Sequence, residues 1–336
     1  MAGTDPGTIS VVGAGSWGTA LAIHLARSGH PTALWGRDHA GLAAMRAERR
    51  NHRYLPEAAF PDSLRVEPDL AAALAGARDV LVAVPSHAFR ETLQALRPRL
   101  PDRARVAWAT KGFEIATGLL PHQIAAELLG ARPTAVLSGP TFAAEVGAGL
   151  PTALVVASDD ARFGGELAQR LSGPHFRAYR QADVVGVEVG GAVKNVIAIG
   201  SGISDGLGFG ANTRVALITR GLAEMMRFGV RLGAARETFM GLAGLGDLVL
   251  TCTDDLSRNR RFGLALARGR SLDEASSIIG QVVEGVPAAH AVRAVAERVG
   301  VEMPICEQVY RVVHEGRDAR EAVGALMRRA LRAEGD

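Results

Sequence analysis

A short apolar, β-branched run, Thr8-Ile9-Ser10-Val11-Val12, ends in Gly13-Ala14-Gly15-Ser16-Trp17-Gly18, and helical periodicity begins at once. A G-x-G-x-x-G set between a strand and a helix leaves a chain few architectures to adopt. The first glycine permits a tight turn. The second lets a ligand approach the backbone, and the third lets the helix pack close to its sheet. Those places fall to Gly13, Gly15 and Gly18, with Ser16 and Trp17 in the first helical turn. The motif predicts a βαβ unit whose helix N-terminus faces an anion.

The alternation continues for half the chain. Strand-like runs cover residues 32–35, 79–84, 106–109, 134–137 and 153–157, with helical segments such as 89–97 and 117–129 between them. Short apolar strands alternating with helices argue a doubly wound, Rossmann-type parallel sheet. After about residue 185 the strand signals fade. Residues 192–204, 213–228, 259–268, 287–299 and 305–315 read as helices, and 319–333 as a final amphipathic one. The expected organisation is an α/β domain over 1–187 followed by an all-α domain over 188–336, reasonable for 336 residues.

Net charge is +3 and the arginines are scattered, without the basic stripe and interleaved aromatics of a nucleic-acid surface. Acidic small molecules are the better match, and no nucleic-acid partner is expected. Cys252 and Cys306 show no metal spacing, so no metal is expected, and they fit a reducing compartment. Residues 1–8 lack the charged-then-apolar layout of a signal peptide, and no uninterrupted apolar stretch predicts a membrane span.

The motif's context predicts a dinucleotide cofactor. A nicotinamide site selective for NAD often places an acidic residue at the end of the second strand to bind the ribose 2′-hydroxyl. Here Arg37 stands near that position, with Asp38 next to it. Arg37 would accommodate a 2′-phosphate and favours NADP(H). A shift of one residue would favour NAD(H), so both remain open.

Of the 38 basic residues only Lys111 and Lys194 are lysines. Arg is permanently charged, whereas Lys can give up and regain a proton. A chain that uses Arg almost everywhere and keeps Lys at two motif-like places points to proton chemistry there. Three further stretches stand out. Ser138-Gly139-Pro140-Thr141-Phe142-Ala143 follows a strand and belongs at the sheet's carboxyl edge. Gly241 to Gly246 is glycine-dense and closes on Asp247. Ser257-Arg258-Asn259 opens a helix. Ser257 is a good N-cap, and the first-turn N–H groups with the Arg258 guanidinium would make a phosphate site.

Taken together, the stretches GAGSWGTALA, TKGFE, SGPTFAAEV, GGAVKNVIAIGSGI, NTRVALITRGLAEM, GLAGLGDLVLTCT, SRNRRFG and QVVEGV closely resemble the bacterial NAD(P)-dependent glycerol-3-phosphate dehydrogenase family, from Ile9 to about Ala325. The resemblance implies reversible reduction of dihydroxyacetone phosphate to sn-glycerol 3-phosphate, supplying glycerophospholipid synthesis, in a cytoplasmic homodimer. It implies Lys194 as catalytic acid/base. Lys111, Gly139, Thr141, Lys194 and Asp247 would contact substrate, and Ser257, Arg258 and Asn259 would hold its phosphate. Besides Gly13, Gly15 and Gly18, it implies cofactor contacts at Ser16, Trp17, Arg37, Lys111, Ala143, Arg258, Val282 and Glu284, with His52 and Arg53 as further candidates. The substrate would lie in a cleft that closes on binding. The nearest rival is another Lys-dependent two-domain dehydrogenase acting on a 3-hydroxy acid or ketopantoate. A nucleotide sensor without catalysis is the rival of a different class.

Overall fold

The structure is a computed structural model that describes residues 7–329. The chain's opening residues 1–6, and 330–333 of the expected last helix, lie outside the described residues. The strands are β1 (Thr8–Val12), β2 (Thr32–Trp35), β3 (Arg50–Asn51), β4 (Leu55–Ala59), β5 (Leu64–Val66), β6 (Ala77–Val82), β7 (Arg105–Trp108), β8 (Thr134–Ser138), β9 (Thr152–Ala157) and β10 (Phe176–Gln181). Eight of them form one sheet in the order β10-β9-β8-β7-β6-β1-β2-β5, and β3 and β4 form a separate hairpin. The pairings in the sheet are parallel except β8 with β9, which is antiparallel.

Contacts divide the chain into two compact units. One runs to Lys111 and resumes over Leu119–Glu188; the other takes Gly112–Gly118 and everything from Val189 onward. In the first, Ile9, Val11, Leu21, Leu34, Leu81, Leu137, Leu154 and Phe163 are sealed in one apolar core. β1 lies between β2 and β6, so chain order reverses across β1 and β6. Loops leaving their carboxyl ends open at this switch point, where ligands of such sheets bind.

The second unit is helical. Its principal member is the helix Val184–Gly206, whose opening turn belongs to the first unit. By length and composition this helix could cross a membrane, but 94% of its apolar window is buried inside the protein. It is a core helix, and glycines let neighbours come close to it. A Cβ at Gly190 would lie 2.4 Å from Ala243 O, and one at Gly202 would lie 2.0 Å from Arg260 O.

The sequence reading starts this helix at 192, whereas it begins at Val184. The expected helix over 117–129 is shorter, Pro121–Leu129, because Gly118 takes φ +68° and Pro121 fixes the first helical turn. Strand β10 was not expected: only Phe176 of its residues is buried, which hides the alternation a strand should show.

Candidate active site

In the sheet unit, Gly13 has φ +121°, and a Cβ there would meet Ala83 O at 2.4 Å. A Cβ at Gly18 would fall 1.8 Å from Gly13 O. These two glycines are demanded by the protein's own packing. Gly15 is different, for among the described residues nothing lies within 4 Å of its Cβ position. The space that Gly15 keeps clear suits a pyrophosphate rather than a neighbouring side chain. The helix Ser16–Arg27 begins there with no side-chain cap and no acidic residue in its first turn. Its leading N–H groups are therefore presented to an anion. Asn51, brought in by β3, pins the loop by donating to Ala14 O at 3.1 Å and Thr19 Oγ1 at 2.8 Å.

At the end of β2 the two candidates separate. Asp38 caps the helix His39–Glu48 by accepting from Gly41 N at 2.9 Å, and pairs with Arg53 at 3.8 Å. Arg37 is 66% exposed and, among the described residues, pairs with the Glu91 carboxylate at 3.7 Å. His52 pairs with Glu48 at 2.8 Å. Trp17 and Ala143 pack against the apolar core of this unit.

The same unit brings Lys111, Gly139 and Thr141 together at the ends of β7 and β8. Lys111 Nζ donates to Gly139 O at 3.4 Å, and Thr141 Oγ1 donates to the same oxygen at 3.2 Å. Gly139 takes φ +145°, with Leu154 Cα 3.0 Å from where a Cβ would sit.

The helical unit gathers the second lysine. Lys194, 7% exposed, donates from Nζ to Asp247 Oδ1 at 2.5 Å and to Thr251 Oγ1 at 2.9 Å. The Thr251 hydroxyl spends its own proton on Asp247 O at 2.6 Å, so it faces Lys194 as an acceptor. Asp247 follows a π-helical turn, Leu242–Gly246, and opens the helix Asp247–Thr253. The wide turn aims the carboxylate inward, a use that π-turns often serve at functional sites.

One residue on, Asn195 Oδ1 accepts from Asn259 Nδ2 at 2.9 Å, and Asn259 Oδ1 accepts from Gly285 N at 2.9 Å. Ser257 caps the helix Arg258–Ala267 through Arg260 N at 3.2 Å. The N–H groups of Arg258 and Asn259 precede that capped donor and have no acceptor within the helix. Arg258 reaches Gln281 Oε1 at 3.3 Å. Burial pulls its guanidinium below the ordinary range, and Glu284 opposes that pull. Burial in turn pushes the Glu284 carboxyl up to about 7 against the Arg258 charge, and its buried Oε2 has no hydrogen-bond partner among the described residues. A carboxyl raised in this way compensates the guanidinium less fully than an ordinary carboxylate would, which suits an incoming anion.

Residues 8–164 match the family description "NAD-dependent glycerol-3-phosphate dehydrogenase N-terminus", and residues 183–324 match its C-terminal counterpart. The chain belongs to the NAD-dependent glycerol-3-phosphate dehydrogenase family. It is 59% identical over 333 residues to the glycerol-3-phosphate dehydrogenase (NAD(P)+) of Edwardsiella ictaluri, covering 98% of each chain. Among solved structures, glycerol-3-phosphate dehydrogenase from Coxiella burnetii superposes with TM-score 0.94 at 49% identity, covering 96% of this chain and 99% of that one. A PanE/ApbA family ketopantoate reductase from Ralstonia eutropha shares the fold at TM-score 0.60 and 17% identity, covering 94% of this chain and 99% of that one.

Within this dehydrogenase frame, the sequence reading left out three polar side chains that hold the others. Thr251 lies one helical turn beyond Asp247, a spacing that puts both on one face and could have flagged it. Asn195 adjoins Lys194 in the quoted motif. Gln281 opens the quoted QVVEGV stretch, a signal that could have flagged it; it sits in a loop, and Val282 beside it is exposed. Ser257 does what its N-cap reading says: its hydroxyl oxygen accepts from Arg260 N, which leaves its own proton to donate.

Proposed function

We propose that this chain reduces dihydroxyacetone phosphate to sn-glycerol 3-phosphate, and the reverse, with Lys194 as the acid/base. The chain is an NAD(P)-dependent oxidoreductase of the glycerol-3-phosphate dehydrogenase family, acting on a CH–OH group. The observation that carries the residue assignment is the buried Lys194 ammonium held at 2.5 Å from Asp247, in the same unit as the Arg258 helix start.

The dinucleotide fits the first unit. Gly15 leaves its space open, the uncapped helix Ser16–Arg27 offers N–H donors, and Arg37 stands clear of the Asp38 cap. When bound, the nicotinamide supplies the hydride that reduces the substrate carbonyl carbon. As that carbon is reduced, negative charge grows on the carbonyl oxygen. The Lys194 ammonium stabilises that charge and delivers the proton. Asp247 and Thr251 fix the direction in which Nζ points, and Asp247 turns toward the substrate hydroxyl. Lys111 is a substrate contact in this reading. Gly139 and Thr141 line the substrate.

Ser257, Arg258 and Asn259 take the phosphate, through the Ser257 hydroxyl proton, the Arg258 guanidinium and the N–H groups of Arg258 and Asn259. The Asn259 side chain also bonds Asn195 and Gly285. It acts in this reading by holding the phosphate helix against the Lys194 helix. Binding energy from the phosphate, remote from the reacting carbon, orients the carbonyl. Val282, Glu284 and Ala143 belong to this proposal as cofactor contacts. So do a homodimer, a cytoplasmic location and a preference for NADP(H). The deciding experiment is a steady-state assay with dihydroxyacetone phosphate and each reduced cofactor. Oxidation of NADPH with ketopantoate but not with dihydroxyacetone phosphate overturns the assignment.

A further inference from the structure

Between Lys111 and Leu119 the chain leaves the sheet unit, and the segment Gly112–Gly118 packs with the helical unit instead. Both ends of this strap are glycines in a conformation that side-chain-bearing residues rarely adopt, Gly112 at φ +127° and Gly118 at φ +68°. At Gly118 a Cβ would also fall 2.7 Å from Val295 Cγ2. The strap is closed on itself, with Gly118 N donating to Glu114 O at 2.7 Å and Thr117 Oγ1 to Glu114 Oε2 at 2.6 Å.

Two side chains fasten it to the helical unit. Phe113 is buried with its ring 5.9 Å from that of Phe228, centroid to centroid. Arg298 donates to Thr117 O at 3.0 Å and Gly118 O at 3.4 Å. Lys111 is thus one peptide bond from a pinned strap that belongs to the unit bearing Lys194. A lysine stem alone is flexible, and a directed ammonium needs its backbone held. A surface arginine that ties down two strap carbonyls, together with a buried ring, supplies that hold.

We propose that Arg298 and Phe113 are positioning residues for Lys111, setting its ammonium against the substrate through the Gly112–Gly118 strap. This rests on the reading of Lys111 as a substrate contact. Neither residue touches substrate or cofactor; each acts through the lysine.

A double-mutant cycle tests it. Arg298 is exposed, so Arg298→Ala leaves the core untouched, and Phe113→Leu provides a second route that keeps an apolar anchor. We expect Arg298→Ala to lower kcat/KM for dihydroxyacetone phosphate about tenfold, carried in kcat. In a Lys111→Ala background the same change should cost less than about twofold, because the group being positioned is gone. Phe113→Leu should follow the same pattern. Equal losses in both backgrounds, or no loss in either, overturn the positioning role while leaving Lys111 in place. A Lys111→Ala enzyme with full kcat/KM removes Lys111 from the chemistry, and the inference goes with it.

Discussion

Lys194 Nζ lies 2.5 Å from Asp247 Oδ1, and both side chains are sealed from solvent except for the last few per cent of the lysine. Burying an ammonium without a counter-charge costs several kcal/mol, so the carboxylate is what lets a charged lysine sit there at all. It also fixes the direction of the proton that Lys194 would deliver.

Lys194→Arg keeps the charge and removes the capacity to transfer a proton. We expect kcat to fall by about 10²–10⁴-fold, the usual share of a general acid. NADPH affinity, read by fluorescence titration, should stay near wild type. A variant that turns over at more than about half the wild-type rate is incompatible with the acid/base role.

Arg258→Ala should chiefly raise the KM for dihydroxyacetone phosphate and abolish competition by sulfate. The neighbouring Glu284 adds a pH signature. Its carboxyl is pushed up to about 7 by burial, so it ionises as pH rises through that value. The carboxylate then offsets the Arg258 charge and repels an anion. Sulfate, whose charge does not change in this range, should inhibit more weakly above about pH 7 than below it. Glu284→Gln should flatten that dependence. A sulfate inhibition constant that is flat with pH in the wild type removes Glu284 from the anion site.

Glu224 makes a stability prediction remote from the chemistry. Its carboxylate caps the helix Pro304–His314 by accepting from Ile305 N at 2.7 Å and Cys306 N at 3.3 Å. Burial nonetheless pushes it up to about 7 from an ordinary 4.5, with Arg227 and the two N–H bonds opposing. Because the folded value is raised, its contribution is fully present below about pH 4.5. It is lost as pH climbs to about 7, while the unfolded chain ionises freely. Against Glu224→Gln, the wild type should lose about 3 kcal/mol between pH 4.5 and 8. Urea midpoints of both proteins at the two pH values measure this; parallel pH curves would refute it.

Arg37 governs the choice of cofactor in this reading because Asp38 is spent on its helix cap. Arg37→Ala should raise the KM for NADPH about tenfold, the worth of one charge-assisted hydrogen bond, and barely change that for NADH. Equal changes for the two cofactors would place the 2′-phosphate elsewhere.

What the sequence made legible follows from where its signals are local. Gly13, Gly15 and Gly18 announce a turn, an approach and a packing contact within one stretch, and β1 and the helix after it lie where they point. Lys194, Asp247 and Arg258 stood out by residue type in peculiar surroundings. Partnerships were not legible. That Lys194 meets Thr251, or that Asn259 bridges Asn195 to Gly285, depends on how separate helices cross. The reversal of β9 was hidden for a related reason. β8 and β9 are both buried apolar runs, and such runs carry no record of direction.

Gly15 and Gly18 look alike in the motif and should behave oppositely. A Cβ at Gly18 would sit 1.8 Å from Gly13 O, a backbone atom that cannot step aside, so Gly18→Ala should destabilise the sheet unit by about 1–3 kcal/mol or more. At Gly15 nothing among the described residues lies within 4 Å, and its backbone is not in the left-handed region. Gly15→Ala should therefore fold as well as wild type, or gain about 0.4–1 kcal/mol by restricting the unfolded chain. Its methyl group would occupy the space kept for the pyrophosphate, so NADPH affinity should drop by at least about tenfold, or 1.4 kcal/mol. Thermal melts with and without NADPH separate the two cases. Gly15→Ala should match the wild-type melting temperature without cofactor and lose most of the rise that NADPH gives. If it binds NADPH normally, the pyrophosphate does not approach the backbone at this glycine.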